Sequence, residues 1–215
     1  MGTNEVHEGL GGAVRTSFPR FTMESRITAW DPPHRFVNES PEGEDGRLMA
    51  FEYLIEGRGG TTLLRWVHSG FLPDADWETE YDGLKEGDPA YIFKLAEYLK
   101  FFRGRTATPI GATGPQVDRD RAWSVFGTAL GLPNDVAAGH AVRATLDGLP
   151  PIEGVVDYRS PAFLGVRTDD AIYRFIYGLG GTIVLGHHIF ADVDREETER
   201  AWQAWLDGAF AGGGS

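Results

Sequence analysis

The spacing of apolar and polar residues changes several times along the chain, and each change marks an element. Residues 13–18 alternate, as a half-buried strand does. Residues 23–30 alternate again, Met23, Ser25, Ile27 and Ala29 against Glu24, Arg26, Thr28 and Trp30. Asp31-Pro32-Pro33 breaks this strand, because proline supplies no ladder donor, and residues 34–39 resume it. The stretch 48–71, LMAFEYLIEG-RGG-TTLLRWVHSGF, is two β-rich arms about a turn. Gly57, Gly59 and Gly60 can take the positive φ that a tight hairpin needs. The period then lengthens to that of a helix. Trp77, Tyr81 and Leu84 predict a helical segment over 76–86, Gly87 punctuates it, and Asp88-Pro89 has the form of a new helix start. Ile92, Leu95, Ala96, Leu99 and Phe102 give this second segment one apolar stripe. Arg103 and Arg105 suit its negative end.

The plan then recurs. Residues 106–113 predict a strand, at a sheet edge because of Pro109, and Asp118 opens a helix that Gly131 and Pro133 stop. Strands follow over 140–146, 152–158, 162–167, 171–177 and 182–190, and a last helix from about Asp194 carries Ala201, Trp202, Trp205, Leu206, Ala209 and Phe210. AIYRFIYG-LGG-TIVLGHHIF repeats the order of the first hairpin, and His140-Ala141-Val142-Arg143 matches Gly12-Ala13-Val14-Arg15. A meander of about five strands closed by a long amphipathic helix thus occurs twice. The second copy is preceded by a strand and a helix; the first is preceded only by residues 1–12, which read as a mobile polar lead.

Composition narrows the function. The chain has 215 residues, 41% hydrophobic, enough for packed cores, and a net charge of −12, which opposes nucleic acid and anionic membrane surfaces. It has no cysteine, which removes disulfides and thiolate chemistry and fits a reducing, cytoplasmic setting. No apolar run approaches a membrane span, and the N-terminus has no secretory pattern.

Several stretches together resemble a known superfamily. They are TAWDPPHRFV at 28–37, GGTTLLRWVHSGF at 59–71 with Trp77 after it, and the helix AYIFKLAEYLKFF at 90–102. The chain resembles a tandem pair of SRPBCC (START/Bet v 1-like) modules, within them the bacterial and other homologues of the activator of heat-shock protein 90 ATPase. The resemblance implies an α+β, helix-grip fold, a curved antiparallel sheet wrapped around a long C-terminal helix, in modules 1–104 and 105–211 with a flexible tail 212–215. It also implies that the first module lacks the family's opening strand and two short helices. A bare strand edge and open cavity there predict a homo-oligomer.

Candidate chemistry is sparse. His68 and His188 share a parity with the apolar residues of their strands, Leu64 and Trp66 in one and Val184 and Gly186 in the other. If that parity faces the helix, the imidazoles are ligand anchors or acid/base groups; otherwise they are strand-end histidines bonded to backbone. His187-His188 is not a metal pair, because successive strand residues point to opposite faces. The glycine turns at 57–60 and 178–181 precede strands rather than helices, which excludes a P-loop. Glu42, Glu44 and Asp45 sit in a polar loop with nothing to raise a carboxyl pKa. Tyr91, Lys94 and Tyr98 flank the first helix's stripe and Arg65 lies on a strand; they either orient a ligand or keep apolar stems on the sheet and polar heads in water. Trp202 and Trp205 suit core anchors. The reading is a noncatalytic protein for a small hydrophobic ligand, with Trp66, His68, Tyr91, Leu95, Tyr98, His188 and Trp202 as ligand-binding residues, no metal and no cofactor. The alternative is a co-chaperone-like or stress-related protein-interaction module.

Overall fold

The structure, a computed structural model, describes residues 3–17, 22–42, 48–70 and 77–211, with the backbone alone over 77–84. Expectations on Glu44, Asp45, Phe71, the tail, and the side chains of Trp77, Tyr81 and Leu84 fall outside the described residues. The fold is α+β, with two antiparallel six-stranded sheets. The chain divides into compact units at 2–81 and 82–215. That division lies inside the first helix.

The first unit is a meander, β1 (Thr3–Val6), β2 (Ala13–Ser17), β3 (Thr22–Asp31), β4 (Arg35–Glu39), β5 (Ala50–Arg58) and β6 (Thr61–Ser69), each strand beside the next. Residues 3–6 were expected to be mobile, but they form β1 and pair with β2 in the register Val6 to Val14. The β5–β6 turn is built on positive φ at both Gly59 (52°) and Gly60 (88°), as a tight hairpin requires.

The helix α1 (Trp77–Phe101) is continuous through Gly87, Asp88 and Pro89. The expected break and N-cap are therefore not there. Pro89 removes one i→i−4 bond, and packing of the following turns outweighs that loss. From Tyr91 onward α1 lies on the second sheet. The Phe93 ring is 5.1 Å from Tyr158, Tyr98 stacks on Phe190, and Glu97 pairs with Arg167 at 2.8 Å. Phe102, just past the helix, is buried against Phe190 at 4.1 Å.

The second sheet runs β7 (Thr108–Gln116), β12 (Thr182–Ile189), β11 (Ala171–Tyr177), β10 (Phe163–Arg167), β9 (Ile152–Arg159), β8 (Ala141–Ala144). Pro109 does mark an edge strand. Two helices cover the face opposite α1. In α2 (Arg119–Leu130), Asp118 accepts from the Arg121 N–H at 2.8 Å, and Gly131 closes the helix at φ 64°. In α3 (Arg195–Ala211), Asp194 accepts from the Glu197 N–H at 2.7 Å, and Trp202, Leu206 and Phe210 are buried. They pack with Phe126, Phe175, Ile183 and Leu185 in one core. Gly114 lets α3 close on β7, since a Cβ there would sit 3.2 Å from Leu206 and from Ile183. The helix also occupies the backbone of β7. The Gly111 N–H donates to Glu199, the Thr113 N–H donates to Gln203 Oε1, and Gln203 Nε2 donates back to the Thr113 carbonyl.

Candidate functional site

The second sheet is covered on both faces, and this decides where its polar groups point. Ile183, Leu185, His187 and Ile189 face α3. The His187 ring is 4.2 Å from Trp202, its Nδ1 accepts from the Arg174 N–H at 3.1 Å, and its Nε2 is buried without a partner among the described residues. Burial, and then the neighbouring His188 and Arg174, hold its pKa well below the ordinary range. Which parity faces a helix was open from the sequence, and α3 takes the one that carries His187. His188 pairs across the ladder with Ile172 and Pro109 and lies toward α1. Burial, then Lys94 and Arg174, push it down to about 3. The two adjacent imidazoles do point to opposite faces.

A charged group is embedded on the α1 side. Arg174 of β11 holds Asp157 of β9 with two bonds, Nη1 to Oδ1 at 3.0 Å and Nη2 to Oδ2 at 2.8 Å, both side chains 3% exposed. Gly165 of β10 lies between them in the sheet. Lys94 of α1 joins this region, and burial, then Arg174, lower it to about 7. Sequence reasoning passed over the pair, although its signal was present: a charge of each sign next to apolar strand residues, Asp157 in VVDY and Arg174 in AIYRFIY.

A cavity of about 510 Å³ opens between the first turns of α3 and the adjoining strand ends of this sheet. Trp202 and Tyr173 form its aromatic wall, their centroids 5.6 Å apart, and Leu149, Ile189, Ala191 and Val193 add apolar surface. Glu153, Asp169, Asp170 and Glu197 also line it. Burial, then Asp170, push the Tyr173 hydroxyl up to about 12, so it stays protonated. Both lining threonines spend their hydroxyl protons inside the protein, Thr168 on Asp170 at 2.8 Å and Thr198 on the Asp194 carbonyl at 2.6 Å.

A second cavity, about 450 Å³, lies on one face of the first sheet, lined by Val14, Met23, Phe36, Met49, Phe51 and Tyr53, among others. Asn38 at its wall accepts from the Ser25 hydroxyl at 2.9 Å. Cross-strand pairing continues this aromatic face into the residues expected from sequence. Tyr53 is opposite Trp66 and Phe51 opposite His68, with the Phe51 and His68 rings 4.3 Å apart.

The expected site residues therefore fall into three places. Trp66 and His68 adjoin the cavity of the first sheet. Trp202 lines the cavity under α3. Tyr91, Tyr98 and His188 gather about the outer face of the second sheet, where Tyr98 stacks on Phe190 and Tyr91 meets Phe163 edge-on, and Leu95 is exposed. The residues of the α3 cavity that sequence reasoning missed, Tyr173, Leu149, Val193 and the four carboxylates, come from separate turns and strand ends. Only Tyr173 carried a local signal, as a partner in alternation to Phe175.

Fold and site define an α+β protein of two sheets, the second gripping its terminal helix above an aromatic cavity. No family model and no curated protein matches the chain. Among solved structures, it is similar to DynU16, a protein of the dynemicin biosynthetic locus, at TM-score 0.40 and 15% identity over 98% of this chain and 86% of that one. It is also similar to the di-domain ARO/CYC protein BexL of the BE-7585A biosynthetic pathway, at TM-score 0.41 and 11% identity over 96% of this chain and 79% of that one. Among the described residues, no helix is long and apolar enough to cross a membrane.

Proposed function

We propose that the protein binds a small molecule with an apolar body, without covalent chemistry of its own, in the cavity under α3. The observation that carries this reading is the cavity itself. Its volume of about 510 Å³ falls in the range of roughly 300–1,000 Å³ typical of small-molecule sites, and Trp202 and Tyr173 offer ring surface to a ligand. The lining supports binding over catalysis. Tyr173 holds its proton, and the hydroxyls of Thr168 and Thr198 donate to Asp170 and to the Asp194 carbonyl, which leaves them as contact surface. A ligand that buries roughly 200 Å² of apolar area gains about 5 kcal/mol before association costs, so micromolar affinity also requires a polar contact.

The test is calorimetric titration with N-phenyl-1-naphthylamine, an uncharged aromatic probe, on the wild type and on Ala201→Trp. Ala201 lines the cavity, and an indole there intrudes on the space beside Trp202. The expected result is saturable binding at one site by the wild type and none by the variant, with the variant's melting temperature showing that it is folded. No binding by the wild type, or equal binding by both, overturns the assignment. Binding retained in Ala201→Trp and lost in Ser25→Trp moves the ligand to the first sheet.

A further inference from the structure

The cavity under α3 has an electrostatic asymmetry that bears on its ligand. Four carboxylates line it, Glu153 at the start of β9, Asp169 and Asp170 in the β10–β11 turn, and Glu197 in the first turn of α3, and its lining contains no lysine, arginine or histidine. Most basic side chains on neighbouring elements have other partners; Arg143 of β8, opposite Glu153 in the ladder, is exposed and is not one of the lining residues. Arg105 donates to the carbonyls of Asp169 and Phe190, Arg195 pairs with Glu199, Arg200 with Glu196 and Arg167 with Glu97. Among the described residues, none of the four lining carboxylates is in an ion pair. The whole chain carries −12, so the far field has the same sign as the near one.

Shape and charge combine here. The carboxylates surround a concave space whose wall is aromatic, and a cation over a Trp or Tyr face gains about 0.5–2 kcal/mol as it is desolvated. An anionic ligand would meet four carboxylates and find no cation among the lining residues. We infer that the ligand of this cavity is an organic cation, an amine or quaternary ammonium carried on an apolar body, whose nitrogen sits among Glu153, Asp170 and Glu197 while the body lies against Trp202 and Tyr173. This inference rests on the cavity being the binding site, as proposed above, and goes beyond it by assigning the charge of the ligand.

The experiment uses three probes of one shape, 2-naphthylmethylamine, 2-naphthylmethanol and 2-naphthoate, titrated at pH 7.4 in 50 mM and 500 mM salt. The proteins are the full-length wild type, Ala201→Trp and the double variant Glu153→Gln/Glu197→Gln. The ammonium is expected to bind at least tenfold more tightly than the carboxylate at low salt, with the alcohol between them. High salt should shrink the gap. The double variant should cut the preference at least threefold and leave the alcohol within about twofold. Equal or better binding of the carboxylate overturns the inference, as does a preference unchanged in the double variant. Retention of the ammonium in Ala201→Trp also overturns it, because that is ion pairing on the acidic surface. Failure of all three probes to bind overturns the cavity reading and this one with it, whereas alcohol binding without charge preference overturns only this one.

Discussion

A single added methyl at Gly165 is expected to cost the second unit about 3 kcal/mol. Gly165 lies opposite Arg174 on one side and Tyr158 on the other, at a register shift in β10. A Cβ built there meets Asp157 Oδ1 at 2.3 Å, Arg174 Nη1 at 2.6 Å and Arg174 Cζ at 2.9 Å. These atoms cannot swing aside into water. They belong to the buried two-bond pair, and Nη1 also donates to the Tyr173 carbonyl at 2.9 Å. Parting a buried pair costs about 3–5 kcal/mol, because each charge is left uncompensated. Shifting it intact is overpacking, at about 1–3 kcal/mol. Gly208 is the control. It lies in α3 with nothing within 4 Å of its built Cβ, so Gly208→Ala should gain about 0.5–1 kcal/mol from helix propensity. The assay is urea unfolding of the full chain followed by fluorescence, with Trp123, Trp202 and Trp205 reporting the second unit. A third variant isolates the cause. In an Asp157→Leu/Arg174→Met background the charged obstacle is gone, and adding Gly165→Ala should cost less than about 1 kcal/mol. A Gly165→Ala loss below 1 kcal/mol, or an equal loss in that background, would refute the reasoning.

Acid should destabilise the second unit through its histidines. His187 and His188 have lowered native pKa values, so below the ordinary 6.5 the unfolded chain takes up protons that the native state refuses. Their contribution is whole above about 6.5 and is lost as pH falls toward about 3 for His188, at up to about 1.4 kcal/mol per pH unit for each. Urea midpoints from pH 7 to 4 measure this, and His188→Asn should flatten the slope. Lys94, lowered to about 7 from 10.5, works in the alkaline window. The unfolded lysine keeps a proton that the native one has released, so stability rises from about pH 7 to 10.5, and Lys94→Met should remove that rise in the same assay. Asp118→Ala removes the α2 cap and should cost about 1 kcal/mol by denaturant titration.

Much of the fold was legible because local chemistry and tertiary context agree. The two turn glycines, the Asp118 and Asp194 caps and the stripe of Trp202, Leu206 and Phe210 all carry their own signal. The failures have physical causes. The run TIVLGHHI is apolar on both parities because α3 covers one side of β12 and α1 the other, so alternation could not choose between His187 and His188. Pro89 had every mark of a helix start, yet contacts made by Phe93, Glu97 and Tyr98 hold a continuous helix through it. The α3 cavity was hidden for another reason. Leu149, Tyr173 and Val193 are far apart in sequence, and only the topology of the sheet makes them neighbours.

The hold of Glu199 and Gln203 on β7 turns that strand into an end-stop. A foreign polypeptide seeking to extend the sheet needs the Gly111 and Thr113 backbone groups, and it finds them already spoken for. Lateral growth into fibrils or exchange of strands between copies is blocked along this border by two side chains of a helix, with no need for a covalent staple. A variant stripped of both, Glu199→Ala/Gln203→Ala, would trade little core packing for a seam at which chains can join.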